Sequence, residues 1–129
     1  MPWKLKDLTL KKSNRTHEEL LKLAVNAALQ AGEQILDIYN TDFAVETKSD
    51  DTPVTIADKT SGQCISRILA ESGIPIISEE EDICDYSARK DWSQVWIVDP
   101  LDGTKEYIKR NGEFAVNIAL VEDGKPVIG

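Results

Sequence analysis

Four apolar residues, Val95 to Val98, run directly into Asp99-Pro100-Leu101-Asp102-Gly103-Thr104, and this junction constrains the chain more than any other stretch. The apolar run reads as a strand. Pro100 cannot donate to a sheet ladder and biases Asp99 toward an extended backbone, so regular structure is expected to stop there and turn through Asp102-Gly103. Both acids then share one tight loop. Two carboxylates about 4 Å apart repel by roughly 4 kcal/mol at an effective dielectric near 20, and a shared divalent cation turns that repulsion into attraction. An all-oxygen donor set suits a hard ion such as Mg²⁺. The competing reading is an acidic turn, since Asp, Pro and Gly are what turns are made of.

A chain of 129 residues has the size of one domain and buries enough surface to build a core. Its 41% hydrophobic and 29% charged residues suit a globular protein and argue against disorder. The net charge of -8 argues against nucleic acid as the main partner, while a small anionic substrate is allowed if cations bridge it to the acids. Cys64 and Cys84 lack CxxC spacing, and the one histidine is His17, so a zinc site is not expected and two free thiols are. No stretch reaches membrane-spanning length and the N-terminus lacks a signal-peptide core, which makes the cytoplasm the expected compartment.

Residues 1–15 form a basic arm, Lys4, Lys6, Lys11, Lys12 and Arg15 against Asp7, read as a solvated leader. Thr16-His17-Glu18-Glu19 matches a capping box. A helix is therefore expected from there to about Tyr39, with Leu20, Ala24, Ala27, Ala28, Ala31, Ile35 and Ile38 on one face and Gly32 marking a close approach. Phe43 to Lys48 alternates as a strand with one buried face, and 49–53 is a turn cluster. Thr55 with Asp58 resembles a second cap, opening a helix from about Ile56 to Ser72 that ends at Gly73. Taken alone, Asp58 reads as a carboxylate complementing the helix dipole.

Ile74 to Ile77 is a short apolar strand running into Glu79-Glu80-Glu81-Asp82. Two apolar strands thus end in carboxylates, and parallel pairing brings both acid groups to one edge of a sheet. Four consecutive acids are more commonly a solvated loop, yet their place at a strand end makes one of them a candidate ligand. Residues 85–91 read as a polar excursion, and Trp92 and Trp96 as core or edge aromatics. Lys105, Lys109 and Arg110 follow the acidic turn, where positive groups can meet phosphate. Phe114 to Val121 is a long apolar strand, and Glu122-Asp123-Gly124-Lys125 a hairpin turn into a returning strand.

Four stretches then carry a family resemblance: Pro53-Val54-Thr55-Ile56-Ala57-Asp58, Ile77-Ser78-Glu79-Glu80, Trp96 through Thr104, and Asn111 through Leu120. Together, over roughly residues 17–129, they resemble the inositol monophosphatase superfamily. Lys105-Glu106-Tyr107 and Lys109-Arg110-Asn111-Gly112-Glu113-Phe114 are most similar to its branch of bisphosphate nucleotidases that serves sulfate assimilation. The aspartyl-phosphate phosphatases are set aside on spacing, because their Asp-x-Asp-Gly-Thr has one residue between the acids and this chain has two.

The resemblance implies an α/β fold, the α+β layered sandwich of that family, with two long helices packed on a mixed, largely antiparallel sheet. It implies Mg²⁺-dependent removal of the 3'-phosphate from adenosine 3',5'-bisphosphate, with two or three ions. Glu79, Asp99 and the Leu101 carbonyl are then expected to hold the first ion, and Asp99 and Asp102 a second. Asp58 and Glu80 are expected to organise surrounding waters, and Thr104 with Glu79 or Asp58 to orient and deprotonate the attacking water. Asp102, Gly103, Thr104 and Lys105 are expected to contact the substrate phosphate. The partner is a phosphorylated nucleotide, with no nucleic acid, no membrane span and a possible homodimer. Inositol or sugar phosphates are the alternative substrates. The family's second half, whose Trp-Asp motif adds a ligand and much of the nucleoside pocket, has no counterpart here. The resemblance thus implies that residues 16–129 are the N-terminal metal- and phosphate-binding half of a longer enzyme, cut within a strand. For the 129 residues alone, the alternative is a non-catalytic module that binds a divalent cation.

Overall fold

The structure is a computed structural model that describes residues 13–50, 53–81 and 85–129. Most of the basic arm, Asp82 and Cys84 lie outside the described residues. In chain order the elements are α1 (His17–Tyr39), β1 (Val45–Thr47), β2 (Pro53–Thr55), α2 (Ile56–Leu69) with a 3₁₀ turn over Ala70–Ser72, β3 (Ile76–Ser78), α3 (Tyr86–Arg89), β4 (Gln94–Asp102), α4 (Thr104–Lys109), β5 (Ala115–Glu122) and β6 (Lys125–Ile128).

Both long helices start at the caps expected of them. Thr16 Oγ1 accepts the Glu19 N–H at 3.1 Å, and Thr55 with Asp58 forms a reciprocal capping box. Leu20, Ala24, Ala27, Ala31 and Ile35 bury one face of α1, and the small alanines let α2 lie close against it. Gly32 is not part of that approach, since a Cβ there would meet nothing within 4 Å. From α2, Cys64, Ile65, Ile68 and Leu69 point into the core, and Gly73 ends the helical stretch at φ +71°.

The helices cover a four-stranded sheet in the order β3-β4-β5-β6, parallel between β3 and β4 and antiparallel elsewhere. Trp96 and Val98 of β4, with Leu120 of β5, pack on Leu20, Ala27, Ile65 and Leu69. Burying each large side chain contributes about 1.5–3 kcal/mol. Trp96 is fully buried and its Nε1 donates to Ser72 Oγ at 3.0 Å, which satisfies the indole inside the core. The β5–β6 hairpin turns through Asp123 and Gly124, both at positive φ as this tight turn requires.

Two further expectations fail for local reasons. The alternating segment before the turn cluster forms only β1, whose three residues are all exposed, because it pairs with β2 in a separate ribbon and not with the sheet. Phe43 instead joins an aromatic cluster with Tyr107, at 4.9 Å between ring centroids, beside the Tyr39 and Phe114 rings. The second failure concerns Pro100. The strand does not stop at Asp99 but continues to Asp102 through a bulge, a place where a sheet tolerates a residue without an N–H.

Candidate metal and phosphate site

That bulge builds the site. Along β4 the step from Asp99 to Asp102 is matched on β5 by the shorter step from Asn117 to Ala115, so β4 carries one extra residue. In a regular strand, residues three apart face opposite sides. The extra residue restores the parity, and Asp99 and Asp102 line one cleft of about 210 Å³ with Glu79, Leu101, Thr104 and Lys105. Helix α2 holds the bulge from behind. Ser61 Oγ donates to the Pro100 carbonyl at 2.8 Å, and a Cβ on Gly62 would come within 3.3 Å of the Pro100 ring.

Parallel pairing of β3 with β4 brings Glu79 to the same edge, its N–H donating to the Val98 carbonyl at 3.2 Å. Burial, then the hydrogen bond and charge of the Glu79 carboxylate, push the Asp99 carboxyl up to about 6. The Leu101 N–H on Asp99 Oδ1, at 3.3 Å, opposes this weakly. Asp102 lies on the same wall, and the Asn117 amide donates to its Oδ2 at 3.1 Å.

Asp58 sits behind this wall, fully buried. Its Oδ2 accepts from the Thr55 N–H at 2.8 Å and Thr55 Oγ1 at 2.7 Å, and its Oδ1 from Thr104 Oγ1 at 2.8 Å. Asp58 is thus a first-turn acid of α2, as expected, with a further partner outside that helix. It reaches the cleft through Thr104, whose alternative acceptor, the Leu101 carbonyl, is farther at 3.3 Å. Gly103 holds φ +89°, and a Cβ there would meet the Glu113 carbonyl at 2.8 Å, so only glycine fits.

Other residues go elsewhere. Glu80 points to the Lys48 Nζ at 3.0 Å, with its side chain 9% exposed. Arg110 turns from the cleft to donate to the Tyr39 and Thr41 carbonyls at the end of α1, and it stacks over Phe43. The expectation that it meets phosphate is corrected on that ground, because carbonyls at a helix C-terminus attract a cation. Lys48 was missed. Burial works against its charge, but the Glu80 hydrogen bond and the charges of Glu80, Glu79 and Asp58 hold its pKa above the ordinary lysine value. A lysine just before Ser49-Asp50-Asp51 was the available signal.

Among the described residues, no group of three His, Cys, Asp or Glu side chains is gathered closely enough to hold an ion unaided. Two crowded carboxylates beside the Leu101 backbone still fit Mg²⁺, which typically takes one or two carboxylates and completes its shell with water and substrate phosphate.

The inositol monophosphatase family model matches residues 16–129. The chain belongs to the inositol monophosphatase family. It is 46% identical over 114 residues to the 3'(2'),5'-bisphosphate nucleotidase CysQ of Salmonella typhimurium, an alignment covering 85% of this chain and 46% of that protein. The crystal structure of CysQ from Bacteroides thetaiotaomicron superposes with a TM-score of 0.74 at 48% identity, covering 86% of this chain and 41% of that one. The extragenic suppressor protein SuhB of Bartonella henselae gives 0.75 at 29% identity over 84% and 43%. The chain thus spans about half the length of the relatives it matches, and its α/β architecture of helices on a mixed sheet is that of the family.

Proposed function

We propose that this chain supplies the metal- and phosphate-binding half of a Mg²⁺-dependent phosphatase that removes the 3'-phosphate of adenosine 3',5'-bisphosphate, in a cytoplasmic route of sulfur assimilation. The observation that carries the reading is the pairing of Glu79 with Asp99 in one cleft whose wall holds Thr104 on Asp58. The sequence identity of 46–48% to CysQ proteins, among them a 3'(2'),5'-bisphosphate nucleotidase, favours a nucleotide substrate.

Glu79, Asp99 and the Leu101 carbonyl would hold one ion, and Asp99 with Asp102 another. Bound Mg²⁺ supplies charge neutralisation and a lowered water pKa. The remaining work belongs to the chain. Thr104 gives its one proton to Asp58, so its lone pairs are left to accept a hydrogen bond from the attacking water and aim it. Asp58, fixed by Thr55 on its other oxygen, is linked to the cleft through Thr104. Lys105, on the cleft, attracts the phosphate, and Lys48 offsets the charge of Glu80 beside it. Phosphoryl transfer asks a protein mainly for positioning and electrostatic stabilisation, and no side-chain nucleophile is required.

The test is phosphate release by the protein at its natural length from adenosine 3',5'-bisphosphate, inositol 1-phosphate and fructose 1,6-bisphosphate, with Mg²⁺ and with EDTA. Preference for the nucleotide, and loss of turnover in EDTA and in Asp99→Asn, is the expected result. Equal turnover in EDTA would overturn the mechanism, and preference for another substrate would overturn the assignment.

A further inference from the structure

On the face of β5 that looks toward Asp99, residues alternate as Ala115, Asn117, Ala119 and Val121, and Asn117 is the one polar side chain among them. It stands in register with Asp99, while Ala115 stands opposite Asp102. The bulge shortens β5 relative to β4 at this point, which brings the Asn117 amide across to Asp102 Oδ2 at 3.1 Å, not to its direct partner. We infer that Asn117 is a positioning residue for the cation site, fixing the rotamer of Asp102 so that its other oxygen serves the ion; this rests on the reading of Asp102 as a cation ligand.

The chemistry favours an amide at this position. An exposed aspartate side chain at a strand end is free to rotate into water, and a donor on one oxygen removes that freedom. An acid at 117 would repel Asp102 and Asp99, and an aliphatic residue would leave Asp102 unheld. An amide donates without adding charge to a wall where Asp99 is already crowded by Glu79. Residues that hold a metal ligand's second oxygen commonly change metal affinity by about 10–100-fold when removed.

The experiment is Mn²⁺ binding, read by electron paramagnetic resonance, to the natural-length protein as wild type, Asn117→Ala, Asp102→Asn and the double variant. Asn117→Ala is expected to weaken binding about tenfold, and to change it less than twofold once Asp102 is already Asn. Melting of the ion-free protein should move by no more than about 2 °C, because the side chain is exposed. Wild-type affinity in Asn117→Ala, or the same loss in both backgrounds, overturns the inference while the cation reading stands. Wild-type affinity in Asp102→Asn, or no Mn²⁺ binding at all, overturns the cation reading beneath it.

Discussion

Asp99 and Thr104 show how much chemistry single residues carry in this cleft. Burial and Glu79 push the folded Asp99 carboxyl up to about 6, whereas the unfolded chain releases its proton near the ordinary 3.8. Between those values the folded state binds more protons, so this group's contribution to stability falls as pH rises from about 4 through 6. In EDTA, urea midpoints of wild type relative to Asp99→Asn should therefore decline across that window and level off above it; a flat difference would contradict the assignment. Thr104 makes a different prediction. Thr104→Ala should lower kcat about 10²-fold or more, the scale of a lost proton-transfer partner, while Thr104→Ser, which keeps the hydroxyl, stays within about tenfold. Steady-state kinetics on the natural-length protein decides it.

At the scale of elements, the β4 bulge and the turn into α4 act as one device. Ser61 and Gly62 of α2 hold Pro100, and Gly103 closes the turn against the Glu113 carbonyl. Gly103→Ala meets both a left-handed backbone and a 2.8 Å contact, and should cost at least about 1–3 kcal/mol in chemical denaturation. A change under about 0.5 kcal/mol would mean that the turn relaxes freely. The far end of α4 is pinned by Tyr107, whose hydroxyl donates to the Ile35 carbonyl at 2.8 Å, and by Arg110 on the end of α1. Helix α1 therefore anchors the far end of α4, while Asp58 of α2 holds Thr104 at its start.

For the molecule as a whole, the proposed ion binding would be linked to folding. The ion-free fold holds two carboxylates together at a cost that a cation reverses. Mg²⁺ at a hundredfold excess over its dissociation constant should stabilise the natural-length protein by about 2.7 kcal/mol, read as a rise in melting temperature. Glu79→Gln should lose most of that rise, and an undiminished rise would place the ion elsewhere. Away from the cleft, Leu21 and Val25 of α1, Ile97 of β4 and Val127 of β6 are all more than 40% exposed, and the first three line an apolar groove that reaches Glu79 and Asp99.

Much of this was legible in the chain. The side-chain cap at Thr16, the capping box at Thr55, the 3.6-residue apolar period of the long helices, the hairpin turn at Asp123-Gly124 and the meeting of two acid-tipped strands are local signals. They depend on residues a few positions apart, and local sterics and hydrogen bonding decide them. The bulge at Pro100, the burial of Asp58 against Thr104, the turning away of Arg110 and the reach of Lys48 to Glu80 were decided only by the tertiary structure. Each depends on partners at least 32 positions away or on a one-residue mismatch between paired strands. A side chain's charge and shape are written in the sequence, but the group it faces is set by how the layers pack.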